Sequence, residues 1–141
     1  MVKQGDIIKI NFNPNKGHEQ AGYRPALVIS NNIYNNRTKM AIVCPITNTL
    51  REFPLHVKLD ERVDTTGVVL CEHVRTMDIY ERGYKYIEKL PKDLLKKVSE
   101  IIGFEIEVVL DVELKLYENK FFIRGCVKDG KYNKYPKIWE C

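Results

Sequence analysis

Apolar and polar residues alternate over several short stretches of this chain, a period typical of β-strands with one buried face. The first stretch covers residues 5–12, where the alternation is regular from Ile8 onward. Four further stretches of alternating or continuous apolar residues predict strands at 25–30, 40–47, 53–59 and 67–76. The pattern therefore predicts a series of short strands rather than strands that alternate with long helices.

Polar, turn-forming residues separate these predicted strands. The connection SNNIYNNRTK at residues 30–39 contains four asparagines and predicts turns. The connection DERVDTTG at residues 60–67 ends in glycine and predicts a second turn-rich link. Residues 77–90 predict an irregular turn followed by one edge strand.

One helix follows the predicted strands. Apolar residues after Pro91 recur at helical spacing and form one face, which consists of Leu94, Leu95, Val98, Ile101 and Ile102. Pro91 suits the first turn, where its missing N–H would have no partner in any case. Short strands followed by one helix predict a mostly β fold of the α+β class, a small antiparallel barrel with a C-terminal helix.

The sequence pattern changes after residue 108, and we expect two units, a domain at 1–108 and a β-hairpin-like extension at 109–141. The extension alternates strongly and contains two turn signals, Glu118-Asn119 and Asp129-Gly130. Its aromatic residues are interleaved with lysine and arginine and could stack on nucleic-acid bases. We favour the simpler interpretation that the extension packs against the domain or against its dimer.

Composition and charge narrow the class of protein. The 141 residues are 44% apolar and 30% charged, which excludes a disordered chain, and the net charge of +4 permits an anionic partner without requiring one. The four cysteines form no C-x-x-C pair, so no zinc knuckle is expected, and Cys44 and Cys71 lie in apolar runs typical of buried thiols. The sequence has no secretion signal and no membrane-spanning run, so we expect a cytoplasmic protein with reduced thiols.

The segment KGHEQAGYRP, residues 16–25, is the strongest candidate for chemistry. It places the carboxylate of Glu19, the amide of Gln20 and the guanidinium of Arg24 on a loop directly before an apolar strand. Loops held by a rigid strand are the usual position of groups that contact a ligand. An arginine fork matches phosphate oxygens and a carboxylate can accept a proton, so the segment predicts phosphate chemistry.

Several motifs, taken in order, resemble the MazF/PemK endoribonuclease toxins. They are the run GDII…FNP at residues 5–14, KGxEQAGxRPALVI at 16–29, NN with YNNRT at 31–38, PIT at 45–47, EHVRT with aspartate at 72–78, and the helix LPKDL…IIG at 90–103. The resemblance covers roughly residues 4–108. It implies an SH3-like barrel that forms a homodimer and cleaves single-stranded RNA at short sequences without a metal or another cofactor. It also implies a MazE-like antitoxin partner, whose flexible C-terminal segment lies along the toxin dimer.

The same resemblance implies roles for three residues in attack by the RNA 2′-hydroxyl, which gives a 2′,3′-cyclic phosphate and a 5′-hydroxyl. Arg24 matches the catalytic arginine and would bind the nonbridging oxygens of the phosphate. Thr47 matches the catalytic threonine and would donate to a phosphoryl oxygen. Glu19 would accept the 2′ proton or, alternatively, orient Arg24.

A larger set of residues is predicted to bind RNA, namely Lys16, His18, Gln20, Asn35, Asn36, Arg37, Asn48, His73, Arg75 and Asp78. Gln20 could instead fix the loop, and His18 could assist proton transfer. His73 stands where relatives often have glutamine, so base recognition is expected to differ. Two alternatives on the same barrel remain open, a CcdB-like poison of DNA gyrase and an inactive RNA-binding module.

Overall fold

The computed structural model describes residues 1–49 and 52–108 and, in the extension, the backbone of three strands. The first part contains seven strands, β1 (Asp6–Asn11), β2 (Tyr23–Val28), β3 (Ala41–Thr47), β4 (His56–Lys58), β5 (Val68–Leu70), β6 (Arg75–Met77) and β7 (Tyr84–Lys89). It also contains three α-helices, α1 (Asn32–Thr38), α2 (Ile79–Arg82) and α3 (Lys92–Ile106). A short 3-10 helix at Cys71–His73 lies between β5 and β6.

The seven strands form one antiparallel sheet, in which six follow the order β4-β5-β3-β2-β1-β7 and the seventh, β6, pairs with β3. Strand β3 is central, because β2 pairs with one of its edges and β5 and β6 pair in succession with the other. Strands β4 and β7 are the two ends of this order, so the sheet is open rather than a closed ring. The predicted class, a mostly antiparallel β fold with a C-terminal helix, is confirmed.

Two hydrophobic clusters lie on the two faces of the sheet. Along β1, Ile7 belongs to the first cluster while Ile8 and Ile10 belong to the second, as the alternation of a strand requires. The first cluster is covered by α3, which contributes Val98 and Ile101. This arrangement confirms that the alternating positions of the sequence are the core positions.

Helix α3 confirms the predicted C-terminal helix. It begins after Pro91, which occupies the N-cap position, and runs for 15 residues. The predicted face packs against the first cluster, through the buried Val98 and Ile101 and the partly buried Leu94, Leu95 and Ile102.

The predicted turns at residues 30–39 are wrong, because this connection contains α1. The amide oxygen of Asn31 accepts a hydrogen bond of 2.9 Å from the Tyr34 N–H and caps the helix. Lys39 ends it in the left-handed conformation (φ +58°), with its N–H donating to the Asn35 carbonyl. Asparagines that are good turn formers therefore serve here as the cap and as a buried position of a short helix.

Two predicted strands are shorter than expected. The strand at 53–59 is reduced to β4, and the strand at 67–76 is interrupted by the 3-10 helix into β5 and β6. This interruption lets two short strands pair with different parts of β3, near Thr47 and near Val43 respectively.

The described strands of the extension are β8 (Leu114–Tyr117), β9 (Lys120–Ile123) and β10 (Trp139–Glu140). β8 and β9 are antiparallel, as the turn signal at 118–119 predicts, whereas β10 pairs with β9 in parallel. The predicted turn at 129–130 lies outside the described residues, and the packing of the extension on the domain or dimer stays a prediction.

Candidate active site

The loop between β1 and β2 carries the KGHEQAGYRP segment and is closed by hydrogen bonds at its base. The Phe12 N–H donates to the Gly22 carbonyl (2.9 Å), and the Gly22 N–H donates to the side-chain oxygen of Asn13 (3.0 Å). At the tip, Oε2 of Glu19 accepts from the Lys16 N–H (3.0 Å), while the Glu19 N–H donates to the Lys16 carbonyl (3.1 Å). Glu19 is solvent-exposed, and its second carboxylate oxygen remains available to a ligand.

Arg24 is half-buried at the start of β2, and its guanidinium is held on one side only. Nε donates to the Ala21 carbonyl (2.8 Å), and Nη1 donates to Oε1 of Gln20 (2.7 Å). Within the described part of the chain, Nη2 has no hydrogen-bond partner. The contact that orients Arg24 is therefore made by Gln20 and the loop backbone, rather than by Glu19, and the free edge of the guanidinium can bind an anion.

Thr47, the last residue of β3, lies on the same face of the sheet as Arg24. The pairing of β2 with β3 ends at Ala26 and Pro45, and Arg24 and Thr47 each lie two residues further along their strands, in the same alternating phase. Beyond that point Thr47 pairs with Val68 of β5, and Arg24 pairs with Ile10 of β1. The Thr47 hydroxyl accepts from the Thr49 N–H (3.3 Å), and among the described residues its own hydrogen has no acceptor.

The turn residues that contact the end of β3 at Thr47 and Asn48 were not identified from the sequence. Gly67 lies so close to Thr47 that a Cβ at this position would be 2.1 Å from the Thr47 carbonyl oxygen. Next to it, the Thr66 hydroxyl donates to the side-chain oxygen of the exposed Asn48 (2.8 Å). In the sequence, Gly67 at the end of a polar link indicates only a turn. The hydrogen bond between Thr66 and Asn48 joins residues that are eighteen positions apart, and no local sequence pattern identifies such a contact.

Arg75 adds a second guanidinium on the Arg24 face. It pairs with Val43, which belongs to the same cluster as Ala26. Its Cζ atom lies 5.9 Å from the centre of the Phe12 ring, within the range of a cation–π contact. The Phe12 N–H donates a hydrogen bond to the carbonyl of Gly22, which is close to Arg24 in the chain. Since the Arg75 guanidinium contacts the Phe12 ring, the Arg75 side chain extends toward the end of the sheet that carries Arg24.

Four predicted RNA-binding residues lie at the other end of the strands. Asn35, Asn36 and Arg37 are on α1, which joins the end of β2 to the start of β3. Asp78 follows β6, whose Met77 pairs with Ala41 at the start of β3. Strands rise about 3.3 Å per residue, so these positions are separated from Arg24 and Thr47 by roughly 15 Å.

Asn35 and Asp78 have structural tasks. Asn35 is fully buried, where its amide donates to the Ser30 carbonyl (3.1 Å) and its oxygen accepts from the Ser30 hydroxyl. The Asn35 amide is therefore enclosed and used internally, and its predicted contact with RNA stays a prediction. Asp78 caps α2 by accepting from the Glu81 N–H (3.1 Å), while Asn36 and Arg37 are exposed.

The remaining predicted residues divide between the loop and the 3-10 helix. Lys16 and His18 are exposed on the loop that carries Glu19, so they can reach a ligand at this end of the sheet. His73 is half-buried in the 3-10 helix, with Nε2 3.9 Å from the carboxylate of Glu72. Glu72 itself accepts from Nε2 of His56 (2.7 Å).

The thiols are placed for packing rather than for chemistry. Cys44 and Cys71 are buried and free of disulfides, as predicted. Burial is the main cause that raises the pKa of both thiols far above the ordinary value, and the charges of Glu72 and Glu105 add to it. Both groups are therefore neutral thiols at physiological pH and cannot act as nucleophiles.

Two surveys of the described residues complete the description of the site. No group of three or more His, Cys, Asp or Glu side chains there is arranged to hold a metal ion. None of the helices in the same part of the chain has the length and apolar character needed to cross a bilayer.

An open antiparallel sheet with an arginine, a threonine and a glutamate-bearing loop at one end defines a small β-rich protein with a candidate site for an anion. Residues 3–104 match the family described as the PemK-like, MazF-like toxins of type II toxin–antitoxin systems. The chain therefore belongs to this family.

Relatives and solved structures agree with this assignment. The chain is 36% identical over 101 residues to "Endoribonuclease PemK" of Escherichia coli, which covers 69% of this chain and 76% of that protein. It is 40% identical over 79 residues to "Endoribonuclease toxin MazF" of Escherichia coli strain K12, covering 56% and 70%. The crystal structure of MazF from Deinococcus radiodurans superposes with a TM-score of 0.71 at 35% identity, covering 74% of this chain and 96% of that one.

Proposed function

We propose that this protein is an endoribonuclease toxin that cleaves single-stranded RNA through attack by the neighbouring 2′-hydroxyl. The observation that supports the proposal is the position of Arg24 and Thr47 in the same alternating phase of β2 and β3, each two residues beyond the last pair of these strands, beside the loop that carries Glu19. Relatives that share the family are named endoribonucleases. Cleavage of messenger RNA would inhibit translation and growth.

In the proposed reaction, Arg24 stabilises the charge that develops on the phosphate. Its Nε and Nη1 are fixed by Ala21 and Gln20, so the free edge is preorganised toward the nonbridging oxygens. The Thr47 hydroxyl donates its hydrogen to a phosphoryl oxygen. A guanidinium stays protonated near neutral pH, so Arg24 does not act as the base.

Glu19 takes the proton of the attacking 2′-hydroxyl in this mechanism. One carboxylate oxygen is held by the Lys16 N–H, and the other faces solvent, where a ribose can approach. The bond from phosphorus to the 2′ oxygen forms as the bond to the 5′ oxygen breaks, and His18 or solvent protonates the leaving 5′ oxygen. The products are a 2′,3′-cyclic phosphate and a 5′-hydroxyl, with no metal ion taking part.

The proposal includes partners and location. Solved structures titled as MazE–MazF complexes from Deinococcus radiodurans show an antitoxin bound to a similar toxin, and one of them superposes with a TM-score of 0.66 at 35% identity. We therefore infer a MazE-like antitoxin and a homodimer for this chain, in the cytoplasm. The same proposal includes the predicted RNA contacts of Lys16, Asn36, Arg37, His73 and Asp78. Because Asn36, Arg37 and Asp78 lie at the end of the strands away from Arg24, their contacts require an RNA that extends along the sheet.

The experiment is cleavage of a long unstructured RNA by the purified protein in excess EDTA, with mapping of the new ends. Recurrent cuts that bear 5′-hydroxyl termini are expected, and Arg24→Ala should reduce the rate about 10²–10³-fold, as removal of one preorganised charge does. Lys96→Ala, which removes an exposed cation on α3, is the matched control and should cleave at the wild-type rate. RNA that stays intact while gyrase is stalled, or RNA that is bound and never cut, would contradict the proposal in favour of the two alternatives.

A further inference from the structure

The turn at residues 65–67 is built against the end of β3 that carries Thr47. Gly67 has φ +111°, and a Cβ there would lie 2.1 Å from the carbonyl oxygen and 2.7 Å from the carbonyl carbon of Thr47. Only glycine permits this approach of two backbones. Because Val68 pairs with Thr47 in the sheet, the turn and the strand end are in direct contact over consecutive residues.

The side chain of Thr66 fixes the residue that follows Thr47. Its hydroxyl donates to Oδ1 of Asn48 (2.8 Å), and the side chains of both residues reach the surface. With its oxygen occupied in this way, the Asn48 amide presents its NH₂ group, which carries two donors, on the opposite side. In the described part of the chain, that NH₂ group has no hydrogen-bond partner.

The turn is itself anchored from the far edge of the sheet. The Glu88 carboxylate on β7 accepts from the N–H groups of Asp64 (3.0 Å) and Thr65 (2.7 Å) and from the Thr65 hydroxyl (2.6 Å). Burial acts to raise the pKa of Glu88, but these hydrogen bonds outweigh it and lower the pKa, so the anchor is ionised at neutral pH. Val63, two residues before the turn, is buried in the first cluster.

We propose that Thr66 is a positioning residue of the active site, which orients the Asn48 amide so that its NH₂ group donates to an RNA phosphate next to the scissile one. This inference rests on the proposed ribonuclease function. Asparagine amides are common donors to phosphate oxygens, and such contacts fix the register of a nucleic acid on its protein. The anchored turn holds the amide before RNA arrives, so no rotamer needs to be selected on binding.

Two substitutions of Thr66 separate its hydroxyl from its shape. Thr66→Val keeps the size and removes the donor, whereas Thr66→Ser keeps the donor. With a short RNA that contains one mapped cleavage site, we expect Thr66→Val to lower kcat/KM about 5–20-fold, mostly through KM, as the loss of one charge-assisted contact does. Thr66→Ser should stay within about twofold of wild type, and Thr66→Ala should resemble Thr66→Val.

A double-mutant cycle of Thr66 and Asn48, measured as kcat/KM, distinguishes a positioning role of Thr66 from a merely structural one. Asn48→Ala alone should lower kcat/KM by about the same factor as Thr66→Val, and adding Thr66→Val to it should have no further effect. Thermal unfolding of each variant checks that the fold is kept, which is expected because the Thr66 side chain is exposed.

The possible failures are distinguishable. If wild type cleaves RNA and Thr66→Val cleaves equally well, or if the effects of Thr66→Val and Asn48→Ala multiply, the positioning role is overturned and the proposed function is kept. If wild type itself cuts no RNA, the proposed function fails and the positioning role fails with it.

Discussion

The carboxyl group of Glu105, near the C-terminal end of α3, should make the stability of this protein depend on pH. Its Oε1 atom is buried and has no hydrogen-bond partner among the residues that the structure describes. Burial, and in second place the negative charge of Glu72, raise the pKa of Glu105 from the ordinary 4.5 to about 7. The folded state therefore holds the proton of Glu105 more tightly than the unfolded chain does.

The sign and size of the effect follow from this difference. Because the folded pKa lies above the unfolded one, the stabilisation is complete below pH 4.5 and is lost as the pH rises through about 7. The whole interval between those values would correspond to roughly 3 kcal/mol. Part of the side chain is exposed to solvent, which screens the charge, so we expect about 1–2 kcal/mol.

Urea unfolding of wild type and Glu105→Gln between pH 4 and pH 8 measures this contribution. Glutamine has the shape of the neutral acid and cannot ionise, so the two proteins should have equal free energies of unfolding near pH 4, below the unfolded pKa of 4.5. At pH 8, Glu105→Gln should be more stable by about 1–2 kcal/mol. Other titrating groups are common to both proteins and cancel in the comparison.

The matched control is Glu107→Gln, which removes an exposed carboxylate two residues further on and should follow the wild-type profile. Parallel pH profiles of wild type and Glu105→Gln would refute the reasoning, since they would show that burial of this carboxyl group costs nothing. A variant that is less stable than wild type at pH 8 would refute it more strongly, because it would indicate a favourable partner for the charge.

Three further predictions concern other parts of the molecule. Gly67→Ala should lower the free energy of unfolding by about 3 kcal/mol or more in urea titrations. Gly83 also has a positive φ (+74°) but lies in open space, so Gly83→Ala should lower this free energy by only about 1–2 kcal/mol. Equal losses in the two variants would contradict the close contact between Gly67 and Thr47. Gln20→Ala should reduce kcat of RNA cleavage about tenfold by releasing Arg24, with rescue by Gln20→Glu in the same assay. Asn35→Ala should lower the melting temperature by more than about 5 °C in a thermal scan because buried polar groups lose their partner, and an unchanged value would contradict this role.

The strands and the C-terminal helix could be predicted because burial imposes a period on the sequence. Alternation along β1 and the helical spacing after Pro91 both mark the side that faces the core. Helix α1 could not be predicted in this way, since its one buried residue is Asn35 and the apolar period is therefore hidden. The helix is capped by the side chain of Asn31 and ends at the left-handed Lys39, but asparagine also favours turns and so does not distinguish the two structures.

Long-range contacts between polar side chains leave no periodic pattern in the sequence. The hydrogen bond from Thr66 to Asn48 and the close approach of Gly67 to Thr47 depend on where the link between β4 and β5 folds back. The alternative that Glu19 orients Arg24 shows the same difficulty, because the neighbouring Gln20 makes that contact instead. Which of two adjacent loop residues faces the guanidinium is decided by the backbone of the loop, and the sequence does not record it.

In contrast, the face of the sheet from which Arg24 and Thr47 project is determined by the hydrophobic core. Val28 and Val43 pair across β2 and β3 and both belong to the second cluster, so every second residue from each must project from the same face. Arg24 lies four residues before Val28, and Thr47 lies four residues after Val43, in the same phase. A slip of one residue between the strands would bury the wrong side chains, so the hydrophobic cluster that fixes the register also fixes the face of the sheet from which the two polar side chains project.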